Sequence, residues 1–247
     1  MNWRALITVV TLGVMIAWGL RALQGSPEDG FTAEEKAMLE RLEPLLDTLV
    51  LQQEDLSSLP GHFEPCEGGE PYALQYGSDG ASPDVEDIQV VEPSEAPASY
   101  SDFCDADGRA FVSSIVALPK DKGHLLFLRA AYEELTRADN EQALRQLVDA
   151  SFDDLSSAEE VIDYRWVTAP TIGDWRYAWA RTVDNPDMDR PLEVYHFQLV
   201  RNVVLGGVLI EVPSGATVDE QALAVVQAFD NRIAAQLELL AAEVQAP

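Results

Sequence analysis

WRYAWARTV at residues 175–183, LEVYHFQLV at 192–200 and VVLGGVLIEV at 203–212 decide the fold. In the first stretch Trp175, Tyr177 and Trp179 alternate with Arg176, Ala178 and Ala180. A period of two predicts a half-buried strand, because successive side chains leave opposite faces of the pleat. The second and third stretches flank Arg201-Asn202. A two-residue link between β-rich runs predicts a tight hairpin. Three strands in succession with short links predict an antiparallel meander. Gly206-Gly207 lies inside the third strand, which predicts a bulge or the close approach of another part of the chain.

Other elements surround this meander. Arg109 to Leu118 reads as a strand ended by Pro119, and Val161 to Val167 as a strand ended by Ala169-Pro170. Short strands are expected near Ile88–Val91 and Tyr100–Cys104. Gly123 to Arg137 and Asn140 to Leu155 read as helices, with apolar faces at Leu125, Leu128, Tyr132 and Leu135, then Leu144, Leu147, Val148 and Phe152. A capping box at Thr32 and Glu35 opens a first helix carrying Met38, Leu42, Leu46 and Leu49, which Pro44 should kink or restart. A second box at Thr217 and Glu220 opens a last helix, with Ala222, Val225, Val226, Phe229, Ile233 and Leu237 on one face. Grouped strands with helices before and after define the α+β class: an antiparallel meander sheet packed by helices.

The order Asp55-Leu56, Leu59-Pro60-Gly61-His62-Phe63, then Ile172-Gly173-Asp174, Val200-Arg201-Asn202-Val203-Val204 and Asn231-Arg232-Ile233 resembles a group of exported bacterial α+β proteins. That group is similar in outline to PsbP-like sandwiches and to the extracellular sensor-type domains of bacterial lipoproteins and kinases. The resemblance spans about residues 55–240 and implies a fold and an extracytoplasmic address, with no activity attached. The long acidic loop and the lack of a lipid-modifiable cysteine after the apolar N-terminus depart from many members.

Residues Ala5 to Leu20 are uncharged, with Arg4 before them and Arg21 after. Ala5 to Leu23 is 19 residues, or about 28 Å of helix. That length spans a hydrocarbon core of roughly 30 Å. Trp3 and Trp18 sit where interfacial rings prefer to lie. An uncleaved signal anchor and a cleaved signal peptide both fit. The anchor is favoured, because cutting after Ala22 or Gly25 would leave Leu20 or Leu23 at the position that requires a small side chain. The expected organisation is a transmembrane anchor at 1–24, a linker at 25–31, and one extracytoplasmic domain at 32–247 with a long acidic loop at about 61–108. The membrane is thus one expected partner, through the N-terminal helix.

The 247 residues hold 43 Asp and Glu against 16 Lys and Arg, a net charge of −27. Residues 24–247 carry all 43 acids and 14 of the basic residues, a net −29. Nucleic acid is excluded as a partner, since phosphate binding needs a basic face. Lysine occurs only at positions 36, 120 and 122, and residues 42–108 contain 16 acids with no basic side chain.

Few residues suggest chemistry. Cys66 and Cys104 are the only cysteines. In an oxidising compartment they most simply form a disulfide, with free thiols the alternative. Asp184, Asp187 and Asp189 could offer oxygens to a hard cation, although clustered loop carboxylates are commonly just solvated. Trp175 and Trp179 share a strand face and could stack on a flat ligand, or form core. The sequence contains no catalytic motif for a nucleophile, no phosphate loop and no cofactor fingerprint. The expected function is a membrane-tethered domain that binds, senses or scaffolds, with a protein or small-molecule partner. A carboxylate-dependent hydrolase is the alternative, because so many acids always offer pairs.

Overall fold

Among the described residues seven strands form one antiparallel sheet: β1 (Phe63–Pro65), β2 (Ala98–Asp105), β3 (Phe111–Ala117), β4 (Glu160–Trp166), β5 (Trp175–Asp184), β6 (Leu192–Arg201) and β7 (Val204–Pro213). The computed structural model describes residues 30–66, 97–106, 109–135, 160–169, 171–184, 190–215 and 219–245. The strand order is β1-β2-β3-β7-β6-β5-β4. The meander predicted from residues 175–212 is its centre, and β3 docks against β7 from outside it. Among the described residues the α-helices are α1 (Ala33–Leu42), α2 (Leu46–Leu49), α3 (Lys122–Leu135) and α4 (Asp219–Gln245). Expectations for Ala5–Leu23, Ile88–Val91, Asn140–Leu155 and Thr217 lie outside the described residues.

The sheet is covered on both faces. Tyr195, Phe197 and Leu199 of β6 share one face with Val208 and Ile210 of β7 and Val112 and Val116 of β3, all buried. Over this face lies α4, burying Ala222, Val225, Val226, Phe229, Ile233 and Leu237. These are the residues whose helical spacing marks an apolar stripe in the sequence. The chain between α2 and β1 covers the same face, where the Leu51 amide donates to Ser114 Oγ at 2.9 Å. The opposite face carries Trp175, Tyr177, Trp179, His196 and Gln198. Helix α3 lies over part of it, with Tyr132 edge-on to Tyr177 at 5.0 Å and its hydroxyl donating to Gln198 Oε1 at 2.9 Å.

Several local expectations change. Strand β5 is not half-buried: Ala178 and Ala180 face α4, Tyr177 and Trp179 face the other layer, and all four are buried. Alternation of small and aromatic side chains here marks two packed faces, not one dry and one wet. The β6–β7 turn is Asn202-Val203, with Asn202 at φ 54°, while Arg201 stays in the strand opposite Val204. Arg201 is kept there by a buried partner described below. The pair Gly206-Gly207 makes no bulge, since β7 runs in unbroken register with β3 and β6. It permits close approach: a Cβ on Gly206 would sit 2.8 Å from Phe229 of α4. Pro44 restarts the first helix, as a 3-10 turn at Glu43–Leu45 separates α1 from α2. The predicted Thr32–Glu35 capping box is present in both directions.

Candidate functional site

The Ile172-Gly173-Asp174, Arg201-Asn202 and Asp230 segments meet at one end of the sheet. Asp230 is fully buried on α4. Arg201 donates to it from Nε at 2.7 Å and from Nη2, and the Gly173 amide donates at 3.1 Å. Asp174 accepts from the Asn202 amide at 2.7 Å and lies 3.5 Å from Arg201. A buried carboxylate survives only when its lone pairs are filled in this way. The hydrogen bonds from Arg201 to Asp230 hold the guanidinium pKa above its ordinary value. Arg232 and Asp55 form a second clasp, with Nη2 at 2.8 and 2.6 Å from the two carboxylate oxygens. These two clasps lock the chain at Asp55, Gly173 and Arg201 onto α4.

A third clasp stands at the other end of the sheet. Arg165 of β4 reaches Glu193 of β6 and Asp219 at the start of α4, each at 2.6 Å. Burial opposes its charge, but the hydrogen bonds to Asp219 and Glu193 outweigh this and raise the guanidinium pKa. Burial is also the main cause that raises the Tyr195 phenol, 3.3 Å from Arg165, above its ordinary value. The close carboxylate pairs Glu193/Asp219 and Asp174/Asp230 are thus each bridged by one arginine.

The candidate aromatic platform is occupied from within. Trp179 is buried and stacks on His196, with ring centroids 4.0 Å apart and planes 7° from parallel. Arg129 of α3 lies over Trp175, 4.2 Å from the ring centroid. Nε2 of His196 is buried without a hydrogen-bond partner, beside a cavity of about 20 Å³ lined by Ser113, Ile115, Gln198, Gly207 and Leu209. Burial, then the charge of Arg181, drives the His196 pKa well below its ordinary value, so the ring is neutral. Of the candidate cation ligands, Asp184 ends β5 and is exposed, while Asp187 and Asp189 lie outside the described residues. Among the described residues no three His, Cys, Asp or Glu side chains gather as a metal site.

Cys66 and Cys104 are bonded, with Cα atoms 5.1 Å apart. The bond fastens the end of β1 to β2 at the sheet edge where the acidic segment begins. Next to it is an open groove of about 380 Å³, lined by Gln53, Glu54, Leu56, Ser57, Gly61, His62 and Phe63. Its volume is in the range of small-ligand sites. Gly61 adopts φ 117°, a backbone open to glycine and little else, so the turn closing the groove depends on that residue. Gln53 Nε2 donates to the Phe63 carbonyl at 2.8 Å, and His62 lies 3.3 Å from Glu64. Sequence reading did not pick out Gln53, Glu54 or Ser57. Their 3-10 turn, Gln53–Ser58, lacks a periodic pattern, and only the Pro60-Gly61 punctuation hints at it.

The two ends of the molecule differ. The chain enters at Gly30, whose Cβ position lies 3.4 Å from Lys122 at the start of α3. The groove lies at the opposite end, where Phe63 pairs with Asp105 and Ser58 Oγ donates to the Gln221 carbonyl near the start of α4. The ten residues of β6 separate these ends, about 33 Å. No protein-family model matches the chain, and no curated protein matches it at a significant level.

Proposed function

We propose that this chain is a membrane-tethered extracytoplasmic binding domain that presents the groove between Gln53 and Phe63 away from the bilayer. The observation that carries the reading is the Cys66–Cys104 bond, because such bonds persist in oxidising compartments outside the cytoplasm. The Ala5–Leu23 segment supplies a tether of membrane-spanning length. The resemblance to exported sensor-type domains agrees with that address. Among the described residues no helix is long and apolar enough to cross a membrane; the tether precedes them. Among the described residues the arginine bridges give the Glu193/Asp219 and Asp174/Asp230 pairs a structural role, which supports binding over carboxylate-dependent hydrolysis.

Reporter fusion tests the address. Alkaline phosphatase joined after residue 30 is expected to be active, and a reporter that matures only in the cytoplasm to be silent at the same junction. The reverse pattern defeats the reading.

A further inference from the structure

Helix α3 carries apolar side chains on its outer side as well as its inner one, with exposed Glu133 at the edge of the outer set. Its sequence is KGHLLFLRAAYEEL. Leu125 and Tyr132 are buried and Leu128 packs on the core, as a covering helix requires. Leu126 and Phe127 nevertheless point outward, 52% and 45% exposed, and Ala130 on the same side is exposed. The other exposed large apolar side chains among the described residues, Ile162 and Leu239, stand singly. A contiguous outward apolar patch of this kind marks a contact surface.

The position of the patch points to its occupant. Gly30 packs beside Lys122, four residues before Leu126. Only residues 24–29 separate Gly30 from the end of the apolar segment at Leu23, and six residues reach at most about 21 Å. Leu126 and Phe127 follow Lys122 by about 6–8 Å of helix. The Lys122–Glu35 pair at 2.8 Å joins the starts of α1 and α3, so the chain's entry is fastened to the helix that carries the patch.

We infer that the outer face of α3 at Leu126 and Phe127 rests in the headgroup region of the bilayer that holds the N-terminal segment, which fixes the orientation of the tethered domain. The inference rests on the tethered reading above. It names the lipid interface as the partner of this face.

Spin-label accessibility on the full chain, reconstituted in phosphatidylcholine/phosphatidylglycerol vesicles, decides it. A nitroxide is placed on Phe127→Cys and, as the far-end control, on Ile162→Cys. The expected result is co-flotation with the vesicles and a several-fold higher ratio of oxygen to nickel-chelate collisions at 127 than at 162. Co-flotation with equal, water-like ratios at both sites overturns the orientation while leaving the tether standing. Co-flotation with position 127 shielded from both reagents overturns it in favour of a protein cover. Failure of the chain to float removes the tether and the inference together. Melting temperatures matching the unlabelled chain verify that the two variants are folded.

Discussion

The two faces of the sheet solve burial differently. Under α4 the sheet is apolar, and its charged groups are paired: Asp230 lies between Arg201 and Gly173, and Asp55 is held by Arg232. The opposite face, part of which α3 covers, holds titratable groups among its own side chains, with His196 stacked on Trp179 and Arg181 7% exposed. It also encloses the small cavity beside Gly207. One face draws its specificity from packing and clamped ions. The other keeps a neutral base where protonation would cost it its environment. The first should therefore respond to shape and charge deletion, and the second to pH.

The largest break is expected at Asp230. Asp230→Ala leaves Arg201 facing an empty acceptor and frees the Gly173 amide, and should cost about 3–5 kcal/mol. Asp230→Asn retains an acceptor and should cost less. Urea unfolding at pH 7.5 measures both; a loss under 1 kcal/mol for the alanine variant would show that the clasp is incidental. Next comes the disulfide. By strand alternation Cys104 lies on the face opposite α4, on a sheet edge that has little packing. Replacing both cysteines by serine should lower stability by about 2–4 kcal/mol, given the 38-residue separation. A change within 0.5 kcal/mol would mean that β1 is held by its ladder and by Phe63 alone.

The adjacent glycines sharpen the contrast, because they point to opposite faces. On Gly206 a methyl group would lie 2.8 Å from Phe229 and 3.1–3.2 Å from Leu199, all fully enclosed. On Gly207 it would lie 2.9 Å from one methyl of half-buried Ile115, next to the cavity. Gly206→Ala should therefore cost about 1–3 kcal/mol through overpacking, and Gly207→Ala clearly less, since Ile115 has space to yield. Equal losses in thermal melts would show both faces to be equally rigid.

These contrasts were unequally legible in the sequence. Alternation in residues 175–212 and the stripe from Ala222 to Leu237 locate the central strands and α4, because hydrophobic period is a local property. The lone cysteine pair likewise points to one bond. The pairing of β3 with β7 is not local: it brings together Ile115 and Gly207, 92 positions apart, in a register that no short pattern encodes. The clasp partners Arg201 and Asp230 are 29 residues apart, so neither segment by itself shows what its charge is for. The groove is built by a 3-10 turn and a left-handed glycine, neither of which has a period to detect. His196 falls on the more polar parity of LEVYHFQLV, which reads as an outer face. Tyr132 of α3 meets Gln198 and Trp179 of β5 stacks on His196, contacts between distant segments that strand pattern alone does not announce.

The smallest effect is also the one that separates the faces most cleanly. His196 is neutral when folded, because burial and then Arg181 depress its pKa. Arg181 and Trp179 face it from β5, Glu211 and Leu209 from β7, and Asp102 and Ser113 lie further along the same face. In the unfolded chain the ring titrates near its ordinary value of about 6.5. Below that pH the unfolded state binds more protons than the folded state, so stability falls as pH falls and is fully present above about 6.5. His124 contributes with the same sign, since burial lowers its pKa against the opposing charge of Asp121. Glu35, held down chiefly by its hydrogen bond from Lys122, loses its contribution only at lower pH, below the ordinary carboxylate value of 4.5. The window from pH 7 to pH 5 therefore isolates the two histidines. Urea unfolding across that window should show stability declining toward acid in the parent chain, a reduced slope in His196→Phe, which preserves stacking on Trp179, and a further reduction when His124→Gln is added. If His196→Phe retains the parent slope, the base is not buried in the way its stacking and unpartnered Nε2 require, and the division between a packed face and a titratable one fails at its most exposed point.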